Sequence, residues 1–393
     1  MTLNRKHALL SSSSAHRWLE CTPSARLEDQ YPDTAGESAR EGTFAHKLAE
    51  LELERYIQAI GDVRYHKAIT ALKDGKSPLG DFYTKDMESY VGEYVDLVIQ
   101  KYEEAREKDA EAALLLEQRL DFSDWVPEGF GRGDAIIIAD GTLEVIDLKY
   151  GRNTPVGAAH NPQIRLYGLG AYNEFGAIYD IDTVCLTIMQ PRNGGGSSES
   201  LAIADLLAWA DSIRPIAQTA FKGQGELKPG PHCQFCRASV RCRALAEYQL
   251  ELARYDFRDA DQLSDNEMAD VLGRADDLVR WANKVKDYAL TEAVEHGRQW
   301  PGWKLVEGRS TRKISEPEQA AVVLITQYGH PEEDIYRPRE LKTLTQLEKV
   351  IGKRELADEL GGLLIKPPGK PTLVPESDPR PAFNTAADDF DVI

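Results

Sequence analysis

Residues 133–149 read GDAIIIADGTLEVIDLK, two apolar runs that flank Asp140-Gly141. An Asp-Gly pair between apolar runs is a strong signal for a two-residue hairpin turn. This turn places Asp134 directly opposite Asp147, and directly opposed residues of antiparallel strands have Cβ atoms about 5 Å apart. Lys149 follows Asp147 by two residues and therefore projects from the same face. The hairpin is predicted to bring two carboxylates and one ammonium group to a single point.

Both faces of this hairpin are predicted to be buried, with Ile136 and Ile138 on one face and Ile137 and Ile146 on the other. A charge in such a strand is costly unless it is paired or binds a metal. Two opposed carboxylates suit a hard divalent cation, which prefers oxygen ligands. The alternative is that these charges are solvated at strand ends, because D-x-K triplets also occur by chance. The hairpin alone therefore favours a metal site without establishing one.

The bulk properties describe a water-soluble globular chain. The chain has 393 residues, of which 42% are hydrophobic and 28% charged. It contains no stretch of about 18 apolar residues that would span a bilayer. The apolar run after Arg5 and Lys6 is too short for a signal peptide, which predicts a cytoplasmic protein with no membrane association. The net charge of −18 argues against a broadly basic surface.

A local basic channel remains compatible with this acidic chain, because contacts with phosphate are local. Four basic residues fall in or near the hairpin, namely Arg132, Lys149, Arg152 and Arg165.

The periodicity of apolar residues predicts a mixed α/β fold, in which helices flank a mixed central sheet and the C-terminal region is also helical. The predicted helices are 36–60, 86–108, 161–173, 199–222 and 262–297, and the predicted strands are 112–120, the 134–149 hairpin and 181–190. We divide the chain into a first domain at 1–245, a mainly helical region at 246–365 with a hairpin near 300–314, and an acidic tail at 366–393 whose composition predicts disorder.

Four motifs occur along the chain in a recognisable order. They are Gly42 with His46, Gly131 with Asp134, Asp147-Leu148-Lys149, and Gln163 with Tyr167. This order resembles the RecB-like nucleases of the PD-(D/E)XK superfamily, over about residues 8–245. The resemblance implies a restriction-endonuclease-like fold for the first domain.

The resemblance also implies roles for these residues. His46, Asp134 and Asp147 would bind Mg²⁺ or Mn²⁺, together with the backbone carbonyl of Leu148. Lys149 would act in catalysis beside Asp134 and Asp147. Gln163 and Tyr167 share one helical face at i, i+4 spacing, and the family places this face beside DNA.

Three further residues extend the predicted site. Glu117, on the preceding strand, is either a further ligand or a residue at the core edge, and the second interpretation is favoured from the sequence. Arg152 and Arg165 are predicted to contact DNA.

The cysteines form a second pattern. Cys233, Cys236 and Cys242 cluster late in the chain and Cys21 stands alone near its start. In a cytosolic chain such clusters more often bind metal than form disulfides. One early and three late cysteines resemble the iron–sulfur arrangement of AddB-type and CRISPR-associated RecB-like nucleases, which implies a [4Fe-4S] cluster. Structural zinc is the alternative, and Cys185 is interpreted as a small core residue.

The expected function is a Mg²⁺- or Mn²⁺-dependent DNA exonuclease, acting on DNA ends or single strands in recombination, replication or repair. The whole chain is similar to a phage-associated group of RecB-like proteins. Two alternatives are a structure-specific DNA endonuclease and a DNA-binding scaffold subunit with an inactive site. The expected partners are DNA and a single-strand-binding or recombination protein.

Overall fold

The computed structural model describes residues 8–32, 36–152, 155–251, 263–306, 317–328, 331–336, 343–360 and 363. The chain divides into two compact units, Met1–Leu250 and Glu251–Ile393. Among the described helices, none has both the length and the apolar character needed to cross a bilayer. The boundaries predicted at 245 and 365 remain predictions.

A five-stranded mixed sheet forms the centre of the first unit. Its strands are β1 Ala113–Asp121, β2 Phe130–Ala139, β3 Gly141–Leu148, β4 Ile181–Gln190 and β5 Gly195–Ala202. They lie side by side in chain order, and every neighbouring pair is antiparallel except β3 and β4. Parallel strands require a crossover connection, and here it contains one helix. The predicted α/β class with a mixed sheet flanked by helices is confirmed.

Helices cover both faces of the sheet. The helices of the first unit are α1 Ala15–Trp18, α2 Ser24–Glu28, α3 Glu37–Tyr56, α4 Asp62–Lys73, α5 Lys85–Lys108, α6 Pro162–Phe175, α7 Ile203–Lys222 and α8 Arg243–Leu250. Residues of α3, α4 and α5 form one core with the sheet. Residues of α1, α6 and α7 form a second core on the other face. The sheet is therefore buried on both sides, and α6 is the crossover between β3 and β4.

The hairpin has the predicted register. Its pairs run from Ala139 opposite Thr142 to Ala135 opposite Ile146. Gly141 has a φ of +73°, which glycine adopts without steric cost. Alternate residues enter different cores as predicted, with Ile136 and Ile138 in one and Ile137 and Ile146 in the other.

The predicted start of the 199–222 helix is wrong. Gly195–Ala202 is a strand, and the helix begins at Ile203. Ser200 and Leu201 pair with β4 opposite Cys185 and Val184, so tertiary pairing overrides the local sequence pattern. Helix α4 was not predicted at all.

The described part of the second unit contains helices and no strand. Its helices are α9 Asp265–Glu295, α10 Pro317–Val322, α11 Glu332–Ile335, α12 Leu344–Ile351 and α13 Lys353–Leu360. Helix α9 begins with a capping box between Ser264 and Glu267, which supports the helix predicted for 262–297. Of the hairpin predicted at 300–314, the described residues 300–306 form no strand. Residues 307–314 and the predicted tail at 366–393 lie outside the described residues.

A buried ion pair fixes helix α6 against β5. Nε of Arg165 lies 3.0 Å from Oε2 of Glu199, and Oε1 of Glu199 accepts a hydrogen bond from the backbone N–H of His160 at 3.1 Å. Arg165 also lies over the ring of Trp209. The hydrogen bond from Arg165 lowers the pKa of the Glu199 carboxyl group, and this effect is larger than the opposite effect of burial. The pair therefore sets the position of the first turn of α6.

Glu199→Gln should lower the free energy of unfolding at pH 7 by about 1–3 kcal/mol, because it removes a hydrogen bond between charged groups. A lowered folded-state pKa contributes stability above the unfolded pKa, and this stability is lost as the pH falls through the folded pKa. The difference in the free energy of unfolding between variant and wild type, measured by urea titration, should therefore disappear below about pH 4. Asp211→Asn, in an exposed pair with Arg214, is the control and should cost less than about 1 kcal/mol. An unchanged difference at acid pH would contradict the ion-pair explanation.

Candidate metal centre

Three carboxylates lie in one row across adjacent strands. The β1–β2 pairing is in register on both sides of Glu117 and Asp134, which places them opposite each other. The β2–β3 pairing extends to Ala135 opposite Ile146, one residue before Asp134 and Asp147. The row therefore joins one acidic residue from each of β1, β2 and β3.

Glu117 has an unusual backbone conformation. Its φ is +50°, in the left-handed region that a residue with a Cβ rarely occupies. Leu114 packs in the core beside α3–α5, whereas Leu120 packs in the core beside α6. Residues separated by an even number of positions normally lie on the same face of a strand. Leu114 and Leu120 lie on opposite faces, so the alternation of side chains along β1 reverses between these two residues. Such strained conformations cluster at functional sites, and here the strain accompanies a carboxylate turned toward the centre.

His46 completes a group that can hold a cation. Its Nδ1 lies 3.1 Å from Oδ1 of Asp134, and one ligand atom from each of His46, Glu117 and Asp134 lies within 4.8 Å of the other two. The other carboxylate oxygen of Asp134, Oδ2, accepts a hydrogen bond from the backbone N–H of Leu148 at 2.7 Å. One imidazole nitrogen and two carboxylates form a suitable donor set for a divalent metal such as Mg²⁺ or Mn²⁺. The structure thus brings in Glu117, which the sequence favoured as a core-edge residue.

Asp147 and Lys149 form a buried ion pair beside this group. Asp147 is 3% exposed, and its Oδ2 lies 2.9 Å from Nζ of Lys149. Among the described residues, this oxygen has no partner with good hydrogen-bond geometry. Asp147 is not among the three residues whose ligand atoms cluster. Its predicted role as a metal ligand therefore remains a prediction, although an underbonded buried oxygen would suit a cation.

Tyr167 and Gln163 lie on the α6 side of the ion pair. Nε2 of Gln163 donates a hydrogen bond to Oη of Tyr167 at 3.2 Å, so the two share a helical face as predicted. Tyr167 lies close enough to Lys149 and Asp147 for their charges to affect its ionisation. A Cβ at Gly131 would lie 2.6 Å from Cε1 of Tyr167. The glycine of the second motif therefore makes room for the tyrosine of the fourth.

Burial and mutual charge shift the ionisation of the whole group. Burial lowers the pKa of His46, but the charge of Asp134, its hydrogen bond to the imidazole and the charge of Asp147 together outweigh burial and raise the pKa to about 9. Burial, aided by the charge of Asp134, raises the pKa of Glu117 to about 7. Burial also raises the pKa of Asp147 and outweighs the effect of Lys149. A cation that binds here would replace protons on His46 and Glu117.

Two arginines predicted to contact DNA form no polar contact with the carboxylate row within the described residues. Arg165 is engaged with Glu199, as described above. Arg152 is exposed. Within the described part of the chain, no hydrogen bond or ion pair joins either residue to the carboxylate row. Their predicted contacts with DNA remain predictions.

Tyr94 is a site residue that sequence reasoning missed. Its side chain is 1% exposed on α5, and its Oη lies 3.5 Å from the carbonyl oxygen of Ile146. Burial and the charges of Asp134 and Asp147 raise its pKa well above the usual value. The available signal was the buried face of α5, where Tyr94 lies among Met87, Val91 and Val98, and a tyrosine in such a face is ordinary for a core helix.

The four clustered cysteines line one cavity. Cys21, Cys233, Cys236 and Cys242 surround about 350 Å³ that includes space open to solvent. Within the described residues, no three of their sulfur atoms lie within 4.8 Å of one another. The sulfur atoms around tetrahedral zinc would be about 3.8 Å apart, given Zn–S bonds of about 2.3 Å. The thiols are therefore gathered, but more widely than zinc requires. Cys185 lies in β4, half-buried, and is not part of this cavity.

A buried carboxylate connects the early and late cysteine segments. Oε2 of Glu28 lies 2.7 Å from Nε of Arg17, and its Oε1 accepts a hydrogen bond from the backbone N–H of Arg237 at 2.8 Å. Burial raises the pKa of Cys236 to about 12. In the absence of a metal, this thiol is therefore protonated, and Glu28 holds the two segments together.

Residues 7–381 match the model of a family described as "Protein of unknown function (DUF2800)". The chain is also similar to two crystal structures. One, described as a "Putative exonuclease" from Eubacterium rectale, aligns with a TM-score of 0.32 and 9% identity over 65% of this chain and 90% of its own. The other, SSO0001, aligns with a TM-score of 0.21 and 17% identity over 52% of this chain and 96% of its own.

Glu117→Gln should weaken Mn²⁺ binding about tenfold or more, because it removes one carboxylate from the group. With EDTA it should instead stabilise the fold by about 1–3 kcal/mol above pH 7. Folding raises the pKa of the Glu117 carboxyl group from 4.5 to about 7, so the folded protein loses stability as the pH rises between these two values. Gln cannot ionise and therefore removes this loss. Calorimetric Mn²⁺ titration and chemical unfolding at pH 5 and 8 measure both effects.

Asp140→Asn, in the exposed hairpin turn, is the control and should change neither quantity. Wild-type Mn²⁺ affinity in Glu117→Gln would exclude Glu117 as a ligand.

Proposed function

The chain belongs to the DUF2800 family, and we propose that it is a divalent-metal-dependent deoxyribonuclease. The observation that carries the proposal is the meeting of His46, Glu117 and Asp134 beside the buried pair of Asp147 and Lys149. Acidic groups concentrated with one lysine on a buried sheet are costly for folding alone. They suit the binding of a cation next to a reacting phosphate.

Each side chain has a distinct task in this proposal. His46, Glu117 and Asp134 hold the metal, with Asp147 as a further ligand. When bound, Mg²⁺ or Mn²⁺ would supply an activated water and would offset charge on the scissile phosphate. Asp147 also holds the Lys149 ammonium group in place, at 2.9 Å. Lys149 then stabilises the negative charge that develops on the phosphate.

The finer assignment is a RecB-like nuclease of the PD-(D/E)XK superfamily that acts as an exonuclease. It is supported by the order of the four motifs and by their convergence: His46 contacts Asp134 in β2, Lys149 directly follows β3, and Tyr167 packs beside them. DNA ends or single strands are the proposed substrates. Gln163 and Tyr167 are proposed to contact the strand from the α6 side.

We also propose that the four cysteines hold a [4Fe-4S] cluster. The thiols come from both ends of the first unit and line one cavity. The order of one early and three late cysteines, which resembles that of iron–sulfur nucleases, favours a cluster over a single zinc ion. Such a site would join the start of the chain to residues 233–242, in parallel with Glu28. When bound, the cluster would supply a structural link between these segments.

Asp134→Asn and Lys149→Met should each lower the rate of DNA hydrolysis with Mg²⁺ by about 100-fold or more, because Asp134 would hold the metal and Lys149 stabilises charge on the reacting phosphate. EDTA should abolish the activity of the wild type. The assay follows end-labelled linear single strands and duplexes, with Asp140→Asn and the exposed Lys222→Met as controls.

A closed circular single strand separates the modes of cleavage. An exonuclease leaves it intact, whereas cutting of the circle would reject the exonuclease assignment. If Asp134→Asn and Lys149→Met digest DNA as fast as the wild type, the nuclease proposal itself fails.

Anaerobically purified protein should contain about four iron and four sulfide per chain and absorb broadly in the visible region. Cys236→Ser should lose iron and lower the melting temperature, because one of the four ligands is removed. Cys185→Ser, outside the cavity, is the control and should keep the iron. A colourless protein with stoichiometric zinc would reject the cluster in favour of the zinc alternative.

A further inference from the structure

Two arginines face each other at the end of the sheet that carries the carboxylates. Arg119 of β1 and Arg132 of β2 are direct partners in the antiparallel register. Like charges directly opposite each other across two strands destabilise a sheet. In a chain with a net charge of −18, many acidic side chains were available for a favourable pair instead. The pair is therefore unexplained by folding stability.

Arg119 is held in a conformation that leaves its donors available. Its guanidinium carbon lies 4.2 Å from the centre of the Phe130 ring. Stacking on an aromatic ring uses the face of the guanidinium plane and leaves the N–H groups at its edge free to donate. Within the described residues, no carboxylate lies within ion-pair distance of Arg119. The nearby Asp121 instead accepts a hydrogen bond from the backbone N–H of Ser123.

Arg132 connects this pair to the carboxylate row. Its side chain is 68% exposed, and its Nη1 lies 3.6 Å from Oε2 of Glu117. Arg119 lies two residues beyond Glu117 on β1, a separation of about 7 Å along a strand. This separation is comparable to that between successive phosphates of a nucleic-acid strand. The backbone of Arg119 therefore lies about one nucleotide step from Glu117 along β1, whereas the guanidinium group of Arg132 lies against Glu117 itself.

We propose that Arg119 and Arg132 form a phosphate clamp for the DNA strand that enters the carboxylate centre. This inference rests on the proposed nuclease function and names a binding site for that substrate. The two guanidinium groups donate to non-bridging oxygens of the phosphate next to the scissile one. Arg–phosphate pairs are frequently bidentate, which fixes the register of the strand as well as binding it. The bound phosphate also relieves the repulsion between the two arginines.

The test measures binding without cleavage, with Ca²⁺ in place of Mg²⁺ and fluorescein-labelled oligo(dT) as the probe. Each phosphate contact on a single strand contributes about 0.7 to the slope of log Kobs against log salt. Because the two arginines bind one phosphate, Arg119→Ala/Arg132→Ala should lower the magnitude of the slope by about 0.7. The double Lys variant should keep the slope, because charge is retained, but bind more weakly because the guanidinium fork is lost.

Arg106→Ala, a half-exposed arginine on α5, is the matched control and should keep the wild-type slope and affinity. The melting temperatures of all variants check that they fold. If the wild type cleaves DNA but the double Ala variant keeps the wild-type slope, the clamp is wrong while the nuclease proposal stands. If the wild type neither binds nor cleaves DNA, the proposed function fails.

Discussion

The hydrogen bond from the Leu148 backbone N–H to Asp134 is the contact on which the candidate site depends. At 2.7 Å, it joins β2 to β3 just beyond the last regular pair of the hairpin. It occupies one oxygen of Asp134 and leaves the other facing His46. Because Glu117 lies opposite Asp134 on the other side, this one carboxylate aligns ligands from α3, β1 and β2. Without it, the strands would still pair, but the ligand atoms would not converge.

The site concentrates charge where folding alone would avoid it. Asp147 is buried beside the Lys149 ammonium group, and Glu117 is held in a left-handed conformation. Raised pKa values at Glu117 and Asp147 express the same cost in terms of proton binding. Lower stability of this kind is typical of functional sites. A bound cation would satisfy these groups together, which ties metal binding to the stability of the sheet.

Contacts between residues far apart in sequence position the surrounding elements. Arg165 and Glu199 fix α6 against β5, and this sets the side from which Gln163 and Tyr167 approach. Glu28 connects the start of the chain to residue 237, and the four cysteines lie around the same junction. The Arg165–Glu199 and Arg17–Glu28 ion pairs are largely shielded from solvent, so removing either partner of a pair would leave an uncompensated charge. The scaffold around the centre is therefore held by polar contacts as well as by its two apolar cores.

The hairpin illustrates what the sequence determined by itself. Asp140-Gly141 dictates a two-residue turn, the turn dictates the register, and the register places Asp134 and Asp147 on adjacent strands. These steps are local, since each involves residues close in the chain. Similarly, i, i+4 spacing was enough to place Gln163 beside Tyr167, and apolar periodicity was enough for the α/β class.

Tertiary structure alone decided which carboxylates meet and which strands pair. Glu117 enters the centre because β1 pairs with β2 and because its own φ is positive, and neither property has a local signature. Strand β5 exists because β4 offers an edge to a serine-rich segment that alone resembles a helix start. Long-range pairing depends on the free energy of the whole sheet rather than on any short segment. For that reason, the sequence determined the hairpin, and the assembled sheet determined the site.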